Sequence, residues 1–189
     1  LLERLYGDDP DVRLVDAACG AGATEATLHV SRAHPTLSTL SRRWTEAIDR
    51  HYAEHEIAWD REVTVRMTSL DALIEQFGEP AFVKIDVEGF EPEVLAGLSR
   101  AVAAISFEFL PASIEPALES LDLIAKLGDF RFAYSMVETM RFATDEWLLA
   151  DQMSSVLRAM PVDGRSGDVY AVRSDRLELL NGTPEGADA

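Results

Sequence analysis

The sequence predicts an α/β domain in which a mostly parallel sheet ends in an antiparallel pair of strands. Along the second half of the 189 residues, apolar runs of strand length and amphipathic stretches of helix length follow the order β-α-β-α-β-β. One of these runs, residues 81–86, is almost continuously apolar, which is typical of a strand covered on both faces. A hydrophobic fraction of 47% with 11 Gly and 8 Pro is the composition of a globular chain.

The first half of the chain alternates strands with helices that have recognisable ends. The predicted strands are residues 11–18, 26–31 and 62–68, and the predicted helices are residues 1–6, 42–52 and 70–77. The first strand is a short apolar run, whereas the other two alternate apolar and polar residues with period 2. Ser41 is a plausible N-cap for the second helix and Ser69 or Thr68 for the third, which Gly78 ends.

The second half places its strands and helices around a short turn at residues 87–90. Glu91-Pro92-Glu93 begins a helix, because proline suits the first turn and acidic residues suit the positive end of the helix dipole. The remaining predicted elements are a buried strand at 104–110, a helix at 114–127, strands at 130–136 and 168–173, and short helical pieces around 147 and 153–160. We expect one domain over residues 1–175 and a C-terminal tail over 176–189.

Charge and composition exclude several classes of partner. The chain has 17 Lys and Arg against 34 Asp and Glu, a formal net charge of −17. Nucleic acids and anionic membranes need clustered basic residues, so neither is an expected partner. Cys19 is the single cysteine, which gives no disulfide framework and fits a cytoplasmic protein. No apolar run approaches the roughly 18–20 residues of a membrane span, and the oligomeric state cannot be predicted.

Carboxylates gather at the ends of two predicted strands. Lys84 and Asp86 share one face of the first strand, Glu88 lies in the turn after it, and Glu108 lies near the end of the next. Ligands of α/β folds bind beyond the carboxyl ends of the strands, where a carboxylate can accept hydrogen bonds or remove a proton. We therefore predict Asp86, Glu88 and Lys84 as catalytic residues. The alternative is that Lys84 and Asp86 form an ordinary ion pair and that Glu91 only caps a helix.

The block from Phe82 to Leu98, FVKIDVEGFEPEVLAGL, resembles the signature of the FkbM family of S-adenosylmethionine-dependent methyltransferases. Further pieces follow in the family's order: Thr39-Leu-Ser, Thr68 to Ile74, Ser106 to Phe109 and Gly167 to Tyr170. The resemblance implies a Rossmann-like sheet and transfer of a methyl group from S-adenosylmethionine to an oxygen of a small or carbohydrate-bearing acceptor.

Positions at the ends of the predicted strands also indicate roles for individual residues. Asp86, Ala17 and Ala18 are expected to contact the cofactor, and Glu108 and Glu91 to bind the substrate. In the family's register the carboxylates need no metal, although Asp86, Glu88 and Glu108 are of a type that can hold Mg²⁺. The same register places the glycine-rich loop and the ribose-binding acid of the family upstream of Leu1, so we expect a partial domain without its first strands.

Two alternative functions stay open. The first is a non-catalytic remnant of a methyltransferase that acts as an interaction domain. The second is a dinucleotide-binding oxidoreductase, because the segment from Asp16 to Gly22 looks like a cofactor loop. Against the second, residues 26–31 alternate like a strand where such a loop should begin a helix, and residues 36–41 contain no acid for ribose hydroxyls. His51 and His55 are spaced like metal ligands but have no obvious third ligand.

Overall fold

The computed structural model describes residues 2–51, 57–137, 139 and 141–181. The strands in these residues are β1 (Ala18–Cys19), β2 (Glu25–Val30), β3 (Arg61–Thr68), β4 (Val83–Ile85), β5 (Ala104–Phe109), β6 (Phe130–Met136) and β7 (Gly167–Arg173). The helices are α1 (Leu2–Tyr6), α2 (Arg42–His51), α3 (Leu70–Phe77), α4 (Glu91–Leu95), α5 (Glu115–Leu127), α6 (Ala150–Arg158) and α7 (Ser174–Asn181), with a short 3-10 helix at Pro35–Leu37. None of the helices in the described ranges is long and apolar enough to cross a membrane.

The predicted helix ends are present. The Ser41 hydroxyl accepts a hydrogen bond from the Trp44 N–H at 3.2 Å before α2, and the Ser69 hydroxyl accepts one from the Ala72 N–H at 3.2 Å before α3. Gly78 ends α3 with a φ of 91°. These caps satisfy backbone donors and acceptors that have no partner inside the helix. Ser69, rather than Thr68, is therefore the cap of α3.

The strands form two sheets instead of a single, mostly parallel one. In the first sheet, with the order β1-β3-β2, β1 runs parallel to β3 and β2 runs antiparallel to it. In the second, with the order β4-β5-β7-β6, β4 and β5 are parallel, whereas β7 is antiparallel to both β5 and β6. The antiparallel C-terminal pair is confirmed. The prediction of a mostly parallel sheet is corrected to a mixture, because β7 inserts between β5 and β6.

The predicted strand at residues 11–18 is wrong for most of its length. Regular strand pairing begins only at Ala18, and Leu14 and Val15 remain 39% and 44% exposed. An apolar run becomes a buried strand only where neighbouring strands flank it. Among the described residues, β3 supplies a partner for Ala18 and Cys19 alone.

One face of the second sheet forms the hydrophobic core. Its inward side chains pack against α4, α5 and α6, and the fully buried members include Ile105, Phe107, Phe132 and Val169. Burying large apolar side chains in this way contributes roughly 1.5–3 kcal/mol each. The core fixes the strands that carry the polar residues on the opposite face.

The opposite face of the second sheet is polar near the end at which β4 and β5 finish. Strand pairing places Lys84 of β4 beside Ser106 of β5, and Glu108 of β5 beside Asp168 of β7. Directly paired residues point to the same side of a sheet. The alternation that buries Phe107 therefore directs Glu108 and its neighbours away from the core, toward the candidate site.

The division into a domain over residues 1–175 and a tail over residues 176–189 stays a prediction. A helix, α7, covers Ser174–Asn181, while residues 182–189 lie outside the described part of the chain. His55, one half of the histidine pair, also lies outside it.

Candidate functional site

The turn between β4 and α4 holds two adjacent residues in the left-handed region. Glu88 has a φ of 54° and Gly89 a φ of 82°. Such a conformation costs a non-glycine residue about 1–3 kcal/mol and persists only when the surroundings hold it. The buried Thr39 hydroxyl donates to the Glu88 carbonyl at 2.7 Å, and the Gly89 N–H donates to Glu91 Oε1 at 3.1 Å. The turn is therefore braced from both sides.

The brace brings three carboxylates together. Carboxylate oxygens of Asp86, Glu88 and Glu108 all lie within 4.8 Å of one another, so the predicted strand-end cluster is present. Burial, together with the charges of Glu108, Asp86 and Glu91, raises the pKa of Glu88 to about 8. Burial and the charge of Asp86 also raise the pKa of Glu108. Glu88 is therefore mostly protonated at neutral pH and can donate a hydrogen bond.

Lys84 compensates part of this negative charge. Its ammonium group forms an ion pair with Asp168 and lies 3.8 Å from the Asp86 carboxylate. Partial burial lowers the pKa of Lys84, but the hydrogen bond to Asp168 and the charges of Asp168, Asp86 and Glu108 outweigh burial and raise it overall. The expected ion pair with Asp86 exists, but Asp168 is the closer partner. Lys84 is thus a fixed positive charge beneath the cluster.

A cavity of about 570 Å³ opens beside these residues, within the usual range of small-molecule sites. Lys84, Asp86 and Glu108 line it. The Asp86 side chain is 56% exposed, whereas Glu108 is half-buried. The cavity lies where β4 and β5 end, as expected for a ligand site of an α/β fold. Its other lining residues are Val137, Thr139, Arg165, Ser166, Gly167 and Asp168.

Glu91 occupies a different place from the other predicted residues. Its side chain is 2% exposed, and it accepts a hydrogen bond from the Gly89 N–H. Burial raises its pKa to about 7, although hydrogen bonds from backbone N–H groups act in the opposite direction. This hydrogen bond links Glu91, the first residue of α4, to the turn that precedes the helix. A direct substrate contact from Glu91 stays a prediction.

Ala17 and Ala18 lie at the start of β1, both half-buried, in the first sheet. The neighbouring Cys19 lines a groove of about 450 Å³ together with Val83 of β4 and Val87 of the turn after it. The wall of the groove is largely apolar. Of the described residues that line this groove, none is Ala17, Ala18 or Asp86, and the contacts of these three with a cofactor stay predictions.

The segment from Asp16 to Gly22 does not have the geometry of a phosphate loop. A loop of that kind runs directly into a helix N-terminus. Here β2 begins at Glu25 and pairs with β3 over its whole length, as the alternating pattern predicted. The described fold therefore gives the dinucleotide alternative no support.

Sequence reasoning missed two charged residues of the cavity, Asp168 and Arg165. Asp168 is the first polar residue of a strand that was predicted, but its position opposite Glu108 depends on the pairing of β5 with β7. Lys84 gave one indication that a further carboxylate is present, because it is a single lysine among several acidic residues. Arg165 lies in a loop before β7, where no periodicity indicates direction.

Comparison with known proteins supplies independent information. A sequence model described as "Methyltransferase FkbM domain" matches residues 7–160. Among curated proteins, the chain is 33% identical over 89 residues to "Hexuronic acid methyltransferase AglP" of Haloferax volcanii. The match covers 46% of this chain and 36% of that protein, so the chain spans about a third of the length of this relative. No solved structure matches the chain.

Proposed function

Because this chain belongs to the FkbM methyltransferase family, we propose that it transfers a methyl group from S-adenosylmethionine to an oxygen of a small or carbohydrate-bearing acceptor. The main structural support is the position of Asp86. Its partly exposed carboxylate closes β4, lies within a cluster of acids and lines a cavity of small-molecule size.

The side chains of the cavity suit proton removal from a hydroxyl group. We assign Asp86 as the base that accepts this proton, so that the hydroxyl oxygen can take the methyl group; the sulfur–methyl bond of S-adenosylmethionine would break and S-adenosylhomocysteine would leave. Glu108 accepts a hydrogen bond from a hydroxyl of the acceptor. Glu88 does not line the cavity, but its carboxyl group lies within 4.8 Å of those of Asp86 and Glu108; protonated at neutral pH, it donates a hydrogen bond to an oxygen of the acceptor. Lys84 stabilises the negative charge of Asp86. A positioned base contributes about 10²–10⁴-fold, and orientation of the reacting groups supplies much of the rest.

The described residues fit part of the cofactor. The largely apolar groove beside Cys19, Val83 and Val87 suits the adenosine rings. The Asp86 carboxylate, which lines the cavity that shares Lys84 with this groove, suits hydroxyl or amino groups. Ala17 and Ala18 are the other proposed contacts. When bound, S-adenosylmethionine supplies the electrophilic methyl group.

We also propose that a further strand completes the second sheet on the open side of β4, giving a Rossmann-like cofactor half. Among the described residues, β4 pairs only with β5. Phe77 and Phe82 are each 49% exposed and line the groove beside it. Unpaired, apolar strand edges are normally covered in native proteins.

The acceptor class and the compartment are proposals of the same kind. The relative that matches is named for a hexuronic acid, which supports a carbohydrate-bearing acceptor here. A cytoplasmic location fits the lone thiol of Cys19. The strongly acidic surface fits partners other than nucleic acids or membranes.

The test combines cofactor binding with a substitution. Calorimetry with S-adenosylmethionine should give micromolar binding, and labelled S-adenosylmethionine should transfer its methyl group to glycoside acceptors. Asp86→Asn should reduce turnover by at least about 100-fold without changing the melting temperature, because it removes the base at an exposed position.

Asp163→Asn, an exposed carboxylate outside the cavity, serves as the control and should leave turnover unchanged. Near-normal turnover by Asp86→Asn would remove Asp86 from the mechanism. A chain that binds no S-adenosylmethionine would instead support the interaction-domain alternative.

A further inference from the structure

We propose that Arg165 binds a carboxylate on the acceptor, so that the cavity selects acidic sugars of the uronic acid class over neutral sugars. This inference rests on the proposed function, since it names the class of acceptor that enters the same cavity. It assigns a specificity role to a residue that neither the carboxylate cluster nor the strand-end pattern includes.

Two segments form the part of the cavity wall that carries Arg165, and they meet where β6 ends and β7 begins. Val137 follows β6, and its N–H donates to the Ser166 carbonyl at 3.0 Å. Val137 has a φ of 43°, which is rare for a β-branched residue and indicates that the surroundings hold it there. On the other side of Arg165, the Gly164 N–H donates to the Pro161 carbonyl at 2.8 Å. The backbone on both sides of Arg165 is therefore held by hydrogen bonds.

The cations of the cavity differ in their partners. The lining residues include two cations, Lys84 and Arg165. Lys84 is engaged by Asp168 and Asp86. Arg165 forms no ion pair or side-chain hydrogen bond with any residue in the described part of the chain, and it is exposed. A guanidinium group with its donors free can bind a carboxylate through two parallel hydrogen bonds.

The acidic residues that line the cavity determine how such a ligand is oriented. Asp86, Glu108 and Asp168 also line the cavity, and their charges repel an anionic group placed beside them. The same carboxylates accept hydrogen bonds from hydroxyl groups. A sugar that carries both hydroxyls and one carboxylate therefore has a single favourable orientation, with its carboxylate at Arg165 and a hydroxyl at Asp86.

Pairs of glycosides that differ only at the carboxylate position test the assignment directly. The probes are the methyl glycosides of glucuronic acid and glucose, and those of galacturonic acid and galactose. Binding is measured by calorimetry or ligand-observed NMR with the full chain. We expect the acidic member of at least one pair to bind about tenfold or more tightly than its neutral partner, because only the acidic member can accept the two charge-assisted hydrogen bonds of the guanidinium group.

Two variants separate Arg165 from general charge effects. Arg165→Gln should remove the preference for the acidic glycoside and leave the affinity for the neutral one within about twofold. Arg158→Gln, an exposed arginine on α6 outside the cavity, removes the same charge and should keep the preference. Arg165→Lys should keep only part of it, since an ammonium group cannot bind in the bidentate manner.

Three results would overturn the assignment: equal affinity within both pairs, an unchanged preference in Arg165→Gln, or no binding of any of the four glycosides. Methyl transfer is a separate measurement. Transfer to the neutral and acidic members at equal rates would leave the proposed function standing while this inference fails. No transfer to any acceptor, despite a preference in binding that depends on Arg165, would count against the proposed function alone.

Discussion

Asp86 and Glu88 are two residues apart, yet their surroundings give them different chemistry. The Asp86 side chain is 56% exposed at the end of β4 and faces Lys84. Glu88 is half-buried in the turn, and burial with three neighbouring acids raises its pKa to about 8. Two carboxylates whose environments differ in this way can act as base and as hydrogen-bond donor in one site. The position of each residue relative to the strand end, rather than its type, determines its role.

The raised pKa of Glu88 predicts a pH dependence of stability. The unfolded chain releases this proton near the ordinary value of 4.5, whereas the folded chain keeps it up to about pH 8. Between these values the folded state binds more protons, so the free energy of unfolding falls as the pH rises. Glu91, with a pKa of about 7, acts in the same direction.

Glu88→Gln should remove the larger part of this loss of stability with rising pH. Relative to the wild type, we expect the variant to gain free energy of unfolding as the pH rises from 5 to 8.5. The rise in pKa from 4.5 to about 8 corresponds to at most about 5 kcal/mol at ~1.4 kcal/mol per pKa unit, and the partial exposure of Glu88 to solvent reduces this value. Urea denaturation at several pH values measures it. Glu75→Gln, an exposed glutamate on α3, should follow the wild type. A constant difference between Glu88→Gln and the wild type across this range would refute the raised pKa.

At the scale of elements, the turn from Glu88 to Gly89 depends on Trp44 of α2. A Cβ atom added to Gly89 would lie 2.5 Å from Trp44 Cδ1, and the φ of 82° is one that other residues rarely adopt. Gly89 therefore allows α2 to pack against the turn that carries the acids. Its role is both conformational and steric.

Three glycine-to-alanine substitutions separate these contributions. Gly89→Ala should cost more than about 3 kcal/mol, because it combines a strained φ with a clash against a buried ring. Gly78→Ala, with a φ of 91° and open space around it, should cost about 1–2 kcal/mol from strain alone. Gly22→Ala has neither feature and should stay within about 0.5 kcal/mol. Chemical denaturation measures all three, and an equal cost for Gly89→Ala and Gly78→Ala would show that Trp44 yields without penalty.

Elements with local signals were predictable, whereas elements that depend on neighbours were not. The cap at Ser69, the end of α3 at Gly78 and the start of α4 at Glu91 all follow from residues within one turn. The strand expected at residues 11–18 carries the right apolar pattern, but pattern alone cannot supply a hydrogen-bonded neighbour. The apolar pattern likewise does not show how far pairing extends, and β4, at Val83–Ile85, is shorter than the apolar run at residues 81–86 that predicted it.

At the scale of the whole molecule, the site combines predictable and unpredictable parts for the same reason. Asp86, Glu88 and Glu108 could be expected together because parallel strands end on one side of a sheet. Asp168 and Arg165 join them only because β7 inserts antiparallel between β5 and β6, a pairing of distant segments. The division of the strands into two sheets likewise depends on pairing between segments that are distant in the sequence.

The net charge of −17 is a property of the whole chain that no single contact explains. Self-repulsion among like charges destabilises the compact state, and salt screens it over a distance of about 10 Å at 0.1 M and ~3 Å at 1 M. The ion pairs on the described surface, such as Arg32 with Asp60 and Arg43 with Glu119, are exposed and contribute little individually. Repulsion should therefore dominate the response of this protein to salt.

We accordingly expect the melting temperature to rise by several degrees between 0.1 M and 1 M KCl, since a gain of about 1 kcal/mol shifts a domain of this size by ~2–4 °C. Calorimetry at constant pH measures it. Glu75→Gln combined with Asp122→Asn removes two exposed charges from helices α3 and α5 and should reduce the salt response, because less repulsion remains to be screened. The same rise in the double variant would mean that salt acts through apolar burial instead, and a fall in melting temperature would mean that ion pairs outweigh repulsion.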